Sequence, residues 1–319
     1  MAFSSKITAT GSYLPEKIVT NDDLAKKVDT SNEWIIERTG IKQRHIAGEN
    51  ELTSDIAYKA AKNLLESSKI KVEDIELIIL ATTTPDLTFP ATATTVQAKL
   101  GANNAFAFDI QAVCSGFVFA VSTANNFIKS GQVKNALVIG ADTLSKIVNW
   151  EDRNTCVLFG DGAGAVMLEQ CEEGKGIIAS DLNSDGRLND ILKTSGGPSL
   201  NQLSGVIEMQ GKDVFKHAVT KMSSSVETTL KNANLTKEDI NLLVPHQANI
   251  RILEGVAKKL KLKDDQVIIT VEKHANTSAA SIPLALDEAY KGNKIKDGDI
   301  IVLEALGGGL TWGSIILNW

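Results

Sequence analysis

The sequence predicts an α/β protein made of two similar halves. Nearly continuous apolar runs, such as Leu77-Ile-Ile-Leu-Ala and Ala136-Leu-Val-Ile-Gly, alternate with stripes of helical spacing. Strands that are apolar on both sides need a layer on each face. Two strings also recur: the Glu-Asp-Ile triplet at Glu73 returns at Glu238, and Asn135-Ala-Leu-Val-Ile-Gly-Ala is echoed by Asp299-Ile-Ile-Val-Leu-Glu-Ala. The offsets, 165 and 164 residues, nearly agree, which marks a duplicated half. The expectation is two similar sheets with helices between and outside them.

In chain order, Ile56, Ala57, Ala60, Ala61, Leu64 and Leu65 form a helical stripe ahead of the strand at Leu77. The segment Ala105 to Ala124 has the length of a membrane span, but Asp109, Gln111 and Ser115 interrupt it. Each would be costly in lipid, so it reads as a buried strand entering a buried helix. Thr155-Cys-Val-Leu-Phe reads as strand, with Cys156 in the core. Gly160-Asp-Gly-Ala-Gly imitates a dinucleotide loop but opens onto the strand pattern Ala165-Val-Met-Leu-Glu, where such a loop should open a helix. The polar, glycine-containing stretch from Gln170 to Gly176 is the join, giving halves 1–172 and 173–319. In the second half, Phe215, Met222, Val226 and Leu230 mark a helix. Leu242-Leu-Val-Pro is a strand ending at His246. Ile250, Leu253, Ala257 and Leu260 mark the next helix, and Val271 to Ala280 precedes a last apolar one.

Composition narrows the function. With 43 % apolar residues the chain can bury a large core. A net charge of −6 offers no phosphate-neutralising surface, so nucleic acid is not an expected partner. Three cysteines without a CxxC pair point to a reducing compartment. The first residues lack an apolar stretch of signal-peptide length. A cytoplasmic protein without membrane contact is expected.

Cys114 closes the run Ala105-Phe-Ala-Phe-Asp-Ile-Gln-Ala-Val-Cys, at a strand-to-helix junction. Free N–H groups at a helix start favour an anion, so the thiol is placed to ionise. A buried, inert cysteine is the other reading. Related halves would bring the strand ends at Cys114 and His246, and the segment holding Asn276, together near a pseudo-two-fold axis.

Six strings sharpen this: Ser31-Asn-Glu-Trp-Ile-Ile-Glu-Arg-Thr-Gly-Ile, Val113-Cys-Ser-Gly-Phe, Phe159-Gly-Asp-Gly-Ala-Gly-Ala, Pro245-His-Gln-Ala-Asn, Asn276-Thr-Ser-Ala-Ala-Ser-Ile-Pro and Gly307-Gly-Gly-Leu-Thr-Trp-Gly. In this order they resemble the condensing enzymes of the thiolase superfamily, and most closely the β-ketoacyl-acyl-carrier-protein synthase III family, over essentially the whole chain. The resemblance implies a thiolase-like five-layer αβαβα fold. It also implies a Cys-His-Asn set, where elongating synthases look like Cys-His-His and thiolases like Cys-His-Cys.

By the same resemblance, Cys114 takes an acyl group from acyl-CoA, with Cys114 and Gly308 supplying the oxyanion-hole N–H groups. His246 and Asn276 stabilise the enolate left when malonyl-acyl-carrier protein loses its carboxylate; an amide suits this because it donates without titrating. Separate binding of the two substrates implies ping-pong kinetics. Trp34 and Arg153 resemble the pair that sandwiches the CoA adenine. Thr30, Arg38, Gly211 and Asn249 resemble further CoA contacts. Lys216, Gln247, Ala248, Asn249, Ile250 and Arg251 resemble the carrier-protein surface, to which Lys212, Lys258 and Lys259 add positive charge. Leu144, Phe159, Ile207 and Leu306 resemble the acyl pocket lining, and Phe89 a residue that enters the partner subunit's pocket, which implies a homodimer. No cofactor is expected, CoA being part of a substrate, and no cluster has metal-ligand spacing. A synthase III-like acyltransferase or thioesterase that omits malonyl condensation, and a non-enzymatic acyl-CoA-binding subunit, are the competing readings.

Overall fold

Thirteen strands organise the computed structural model, which describes residues 3–319. The first half holds β1 (Phe3–Tyr13), β2 (Lys17–Thr20), β3 (Gln43–Ile46), β4 (Leu77–Ala81), β5 (Phe106–Ile110), β6 (Asn135–Thr143) and β7 (Asp161–Glu172). The second holds β8 (Gly176–Ser184), β9 (Leu192–Thr194), β10 (Ile207–Met209), β11 (Leu242–Pro245), β12 (Ile300–Gly307) and β13 (Thr311–Asn318). One sheet runs β1-β7-β6-β4-β5, the other β8-β13-β12-β11. In the first, β4 runs parallel to both β6 and β5; in the second, β11 runs parallel to β12; the remaining neighbours join antiparallel. Where the first sheet has β5, the second has a single bridge from Leu243 to Val267. Two short antiparallel pairs, β2–β3 and β9–β10, stand apart.

The register fixes how the halves correspond. Ile78 faces Leu137 and Leu243 faces Val302, so both strand pairs shift by 165 residues. The Asn135/Asp299 echo is therefore one residue out. That slip matters, because one residue turns every side chain to the opposite face. Ala136 and Val138 point to the middle of the molecule, as do Ile301 and Leu303, whereas Leu137 points outward.

Five layers result. Helices Gly116–Lys129 and Ser281–Lys291 form the middle one, packed between Leu77, Ile79 and Val138 of one sheet and Leu242, Val244 and Leu303 of the other. Helices Thr53–Ser67 and Thr92–Leu100 cover the first sheet outside, and Gly211–Asn232 and Ile250–Leu260 cover the second. Glycines mark the closest approaches: a side chain at Gly164 would meet Leu284 N at 2.7 Å, and one at Gly140 would collide with the Ala279 carbonyl. The glycine run after Phe159 thus enters β7 and serves helix packing. Two expectations change. Thr155 and Cys156 lie in a helical turn, Arg153–Cys156, capped by the Asp152 side chain rather than in a strand. Phe215 begins its helical stripe but is 42 % exposed. Among the described residues no helix is long and apolar enough to cross a membrane.

Candidate active site

Two tight turns face each other at the centre. Cys114 lies in the 3-10 turn Val113–Ser115, just ahead of helix Gly116–Lys129. The corresponding turn in the second half is Ser278–Ala280, just ahead of helix Ser281–Lys291. Their first residues share an unusual backbone, with φ of 47° at Val113 and 50° at Ser278. Asn276 lies two residues before Ser278 and is held by backbone bonds to Leu158 and Gly160. His246 follows β11, its N–H donated to the Glu304 carbonyl at 2.8 Å. Cys114, His246 and Asn276 line one cavity of about 470 Å³, the meeting that the duplication implied.

Neighbours orient the two donors. His246 Nδ1 lies 2.7 Å from Ser281 Oγ, which also accepts the Gln247 N–H at 3.3 Å. Nδ1 is the one acceptor within reach of the Ser281 hydroxyl among the described residues, so the hydroxyl donates to it and the ring proton resides on Nε2. Burial pulls the imidazole down to about 3, so the ring is neutral and still a donor. Asn276 Oδ1 accepts the Ser278 N–H at 2.9 Å, which leaves its NH₂ free to donate. Ser281, absent from the sequence reading, lies within the quoted Asn276 string.

The thiol departs from expectation. Burial pushes Cys114 up to about 12; the Ser278 hydroxyl opposes this, and the Asp142 carboxylate adds to it. The sulfur sits before the first helical turn and only 5 % exposed, and desolvation outweighs the helix start. At rest Cys114 is a thiol. The glycine triplet packs directly against it: a side chain at Gly307 would come within 2.7 Å of Cys114 N, and one at Gly308 within 2.8 Å of the Leu192 carbonyl.

A second cavity of about 420 Å³ opens on the other side of Cys114. It is lined by Leu144, Phe159, Ile207 and Gly308, among others. Leu306 lies instead in the cavity shared with His246 and Asn276, because it points to the outer face of β12 towards Met222. Phe89 is 81 % exposed and lines neither cavity of its own chain. Trp34 carries two guanidinium groups, Arg38 at 4.5 Å and Arg153 at 4.9 Å from the ring centre. Arg153 also donates to the Asp29 carbonyl at 2.6 Å. Thr30 Oγ1 is buried without a partner. Arg38, Gly211, Ala248, Asn249 and Arg251 line the first cavity; Asn249 Oδ1 caps the following helix, leaving its NH₂ free.

Gln247 corrects the sequence reading. It is 0 % exposed. Its amide donates to Pro245 and Ile268 carbonyls and accepts from the N–H groups of Thr270 and Val271. It braces the turn after His246 and offers no surface to a partner. Ile250 packs over Gly40. Lys212, Lys216 and Arg251 are exposed and form no ion pair among the described residues. No trio of His, Cys, Asp or Glu side chains converges as a metal-ligand set there.

A thiol, a neutral imidazole and a carboxamide between two like halves define a condensing enzyme of thiolase-like fold. The family model for 3-oxoacyl-[acyl-carrier-protein] synthase III matches residues 108–186, and the model for its C-terminal part matches residues 230–319. The chain is 59 % identical over 316 residues to a β-ketoacyl-[acyl-carrier-protein] synthase III of Wolbachia pipientis wMel, covering 99 % of each. It is 55 % identical to that of Rhodospirillum centenum, covering 100 % of each. The crystal structure of 3-oxoacyl-[acyl-carrier-protein] synthase III from Aquifex aeolicus VF5 superposes with a TM-score of 0.94 at 48 % identity, over 99 % of this chain and 100 % of that one. The chain belongs to the β-ketoacyl-acyl-carrier-protein synthase III family.

Proposed function

We propose that the chain condenses an acyl-CoA primer, acetyl-CoA in the first instance, with malonyl-acyl-carrier protein. The product is a 3-oxoacyl-acyl-carrier protein, and the step initiates type II fatty acid synthesis. The observation that carries this is the single cavity lined by Cys114, His246 and Asn276. Cys114 attacks the thioester, and its own N–H with that of Gly308 receives the oxyanion. CoA leaves. Malonyl thioester then enters, loses carbon dioxide, and its enolate oxygen receives hydrogen bonds from His246 Nε2 and the Asn276 amide. Neutral donors fit that task, since neither must release a proton to bind the developing charge. The carbanion attacks the acyl-Cys and expels the sulfur.

The other assignments are part of the same proposal. Residues 1–172 and 173–319 are the two halves. Adenine stacks between Trp34 and Arg153 once Arg153 leaves the indole, and Thr30, Arg38, Gly211 and Asn249 take the rest of CoA. Lys216 and Arg251, with the nearby Lys212, meet an acidic carrier protein beside Ala248, Asn249 and Ile250. The acyl chain enters the cavity under Cys114, bounded by Leu144, Phe159 and Ile207 and closed by Phe89 of a second copy in a cytoplasmic homodimer. Acetyl-CoA and malonyl-carrier protein are the test. One carbon dioxide released per 3-oxoacyl-carrier protein formed supports condensation, whereas acyl transfer without carbon dioxide favours the acyltransferase reading.

A further inference from the structure

Acylation requires that Cys114 lose a proton, and His246 is badly placed to take it. Its Nε2 already carries one, and burial opposes a second. On the opposite side of the sulfur lies Ser278, 1 % exposed, its hydroxyl without a hydrogen bond of ordinary geometry in the resting site. Ser278 lines the second cavity together with Cys114 and directly precedes Ala279, whose N–H the Asp142 carboxylate holds; its hydroxyl favours the charged form of both Cys114 and Asp142. Asp142 ends β6 wholly buried. Its Oδ1 accepts the Thr83 N–H at 2.7 Å and the Thr82 hydroxyl at 3.1 Å, and its Oδ2 accepts the Ala279 N–H at 3.1 Å, beside Ser278. Among the described residues no cation pairs with it.

We propose that Ser278 and Asp142 are the proton relay of Cys114. This rests on Cys114 being the acylated nucleophile. As the sulfur bonds to the thioester carbon, its S–H proton passes to Ser278 Oγ and the Ser278 proton to the Asp142 carboxylate. The C–S bond to CoA then breaks, its electron pair stays on the CoA sulfur, and the proton returns by the same path to that sulfur. In condensation the carbon–sulfur bond to Cys114 breaks, the pair stays on Cys114, and one proton taken up from water reaches that sulfur through Asp142 and Ser278, leaving Asp142 a carboxylate again.

The surroundings suit a carboxylate that works near neutrality. Burial holds Asp142 up at about 6, in the range where a base is effective at cellular pH. Threonine hydroxyls and backbone N–H groups face it from Thr82 to Thr84 and from the Ser278 turn, and Gly162 lies opposite on β7. Helix Thr53–Ser67 reaches this end of β6 through the Thr53 hydroxyl, bonded to Thr143. Asp161, the other nearby carboxylate on β7, points away to Ala47 and Ser145. Cys114 is the titratable group it acts upon.

The relay and a purely electrostatic role predict opposite signs. Asp142→Asn removes a negative charge near the sulfur. If Asp142 acts only through its field, the variant's thiol ionises more easily and is alkylated faster by iodoacetamide. If Asp142 is the base, alkylation of Cys114 at pH 7 slows about tenfold or more, and the fall in rate seen below about pH 6 in the parent chain disappears. Peptide mass mapping of Cys114 over pH 5–9 reads both. An equal or faster rate overturns the relay. Ser278→Ala keeps the Asp142 bonds to Thr83 and Ala279 and decides the matter if Asp142→Asn does not fold; it should lose the same acidic limb, and a retained limb overturns the relay. Acetyl transfer from acetyl-CoA to Cys114 in the parent chain is measured separately. Its failure sinks the proposed function while the alkylation signs still judge the relay.

Discussion

The two halves place different groups at matching points, and the sharpest contrast is between Asp142 and Gly307. They are counterparts under the 165-residue shift, as are Ala279 and Cys114. In one arm, the Asp142 carboxylate accepts the Ala279 N–H. In the mirrored arm, Gly307 has no side chain, and one there would reach Cys114 N at 2.7 Å. The same scaffold therefore ties down one turn and leaves the other turn's N–H open for an oxyanion. The strand ends differ likewise: β4 ends in Ala81 where the residue after β11 is His246. In the proposed relay the carboxylate lies in the half that carries the nucleophile, while Ser278 and the neutral donors come from the other.

The largest effect should come from Cys114→Ala. Intact-mass spectra after acetyl-CoA should show no acyl-enzyme, and condensation should vanish; labelled acetyl still bound covalently would refute the nucleophile. Gly307→Ala attacks the contrast itself. The added methyl must push the Cys114 backbone away or cover its N–H, so acylation should fall about a hundredfold or more while the protein remains folded by circular dichroism. A rate within about threefold of the parent would mean that the open N–H contributes little. Asn276→Ala should leave acylation within about tenfold yet slow condensation about a hundredfold, since its NH₂ serves the enolate. Equal losses in both half-reactions would erase the division of labour. Trp34→Ala should raise KM for acyl-CoA about tenfold through lost stacking and leave KM for malonyl-carrier protein unchanged in steady-state assays.

Much of this was legible in the residues. Continuous apolar runs gave the buried sheets, and the Glu73/Glu238 echo gave the true shift. Cys114, His246 and Asn276 stood out because strand ends of related halves converge. The second echo misled by one residue, since apolar strands look alike in either register and only pairing separates the two faces. Burial of Cys114 was hidden because a helix start advertises stabilisation of charge, while desolvation depends on what the other half packs against it. Gln247 looked like surface in a polar string, yet four backbone partners from two stretches of chain satisfy it. Asp142 reads as an ordinary polar strand end; its importance comes from contacts to residues 58 or more positions away.

The pH dependence of the half-reactions separates the two arms most finely. Asp142 is raised to about 6, so its basic form is lost as pH falls through that value. Acyl-enzyme formation, measured by quenched mass spectrometry, should therefore decline below about pH 6, approaching tenfold per pH unit. His246 is lowered to about 3, and its Nε2 proton stays in place on a neutral ring from pH 5 to 8. Condensation started from pre-acylated enzyme should then be flat across that range, with no inflection near the ordinary imidazole value. If the condensation step titrates near 6.5 instead, the imidazole is exchanging a proton with the substrate, and the neutral-donor arm of the comparison fails even if the Asp142 arm stands.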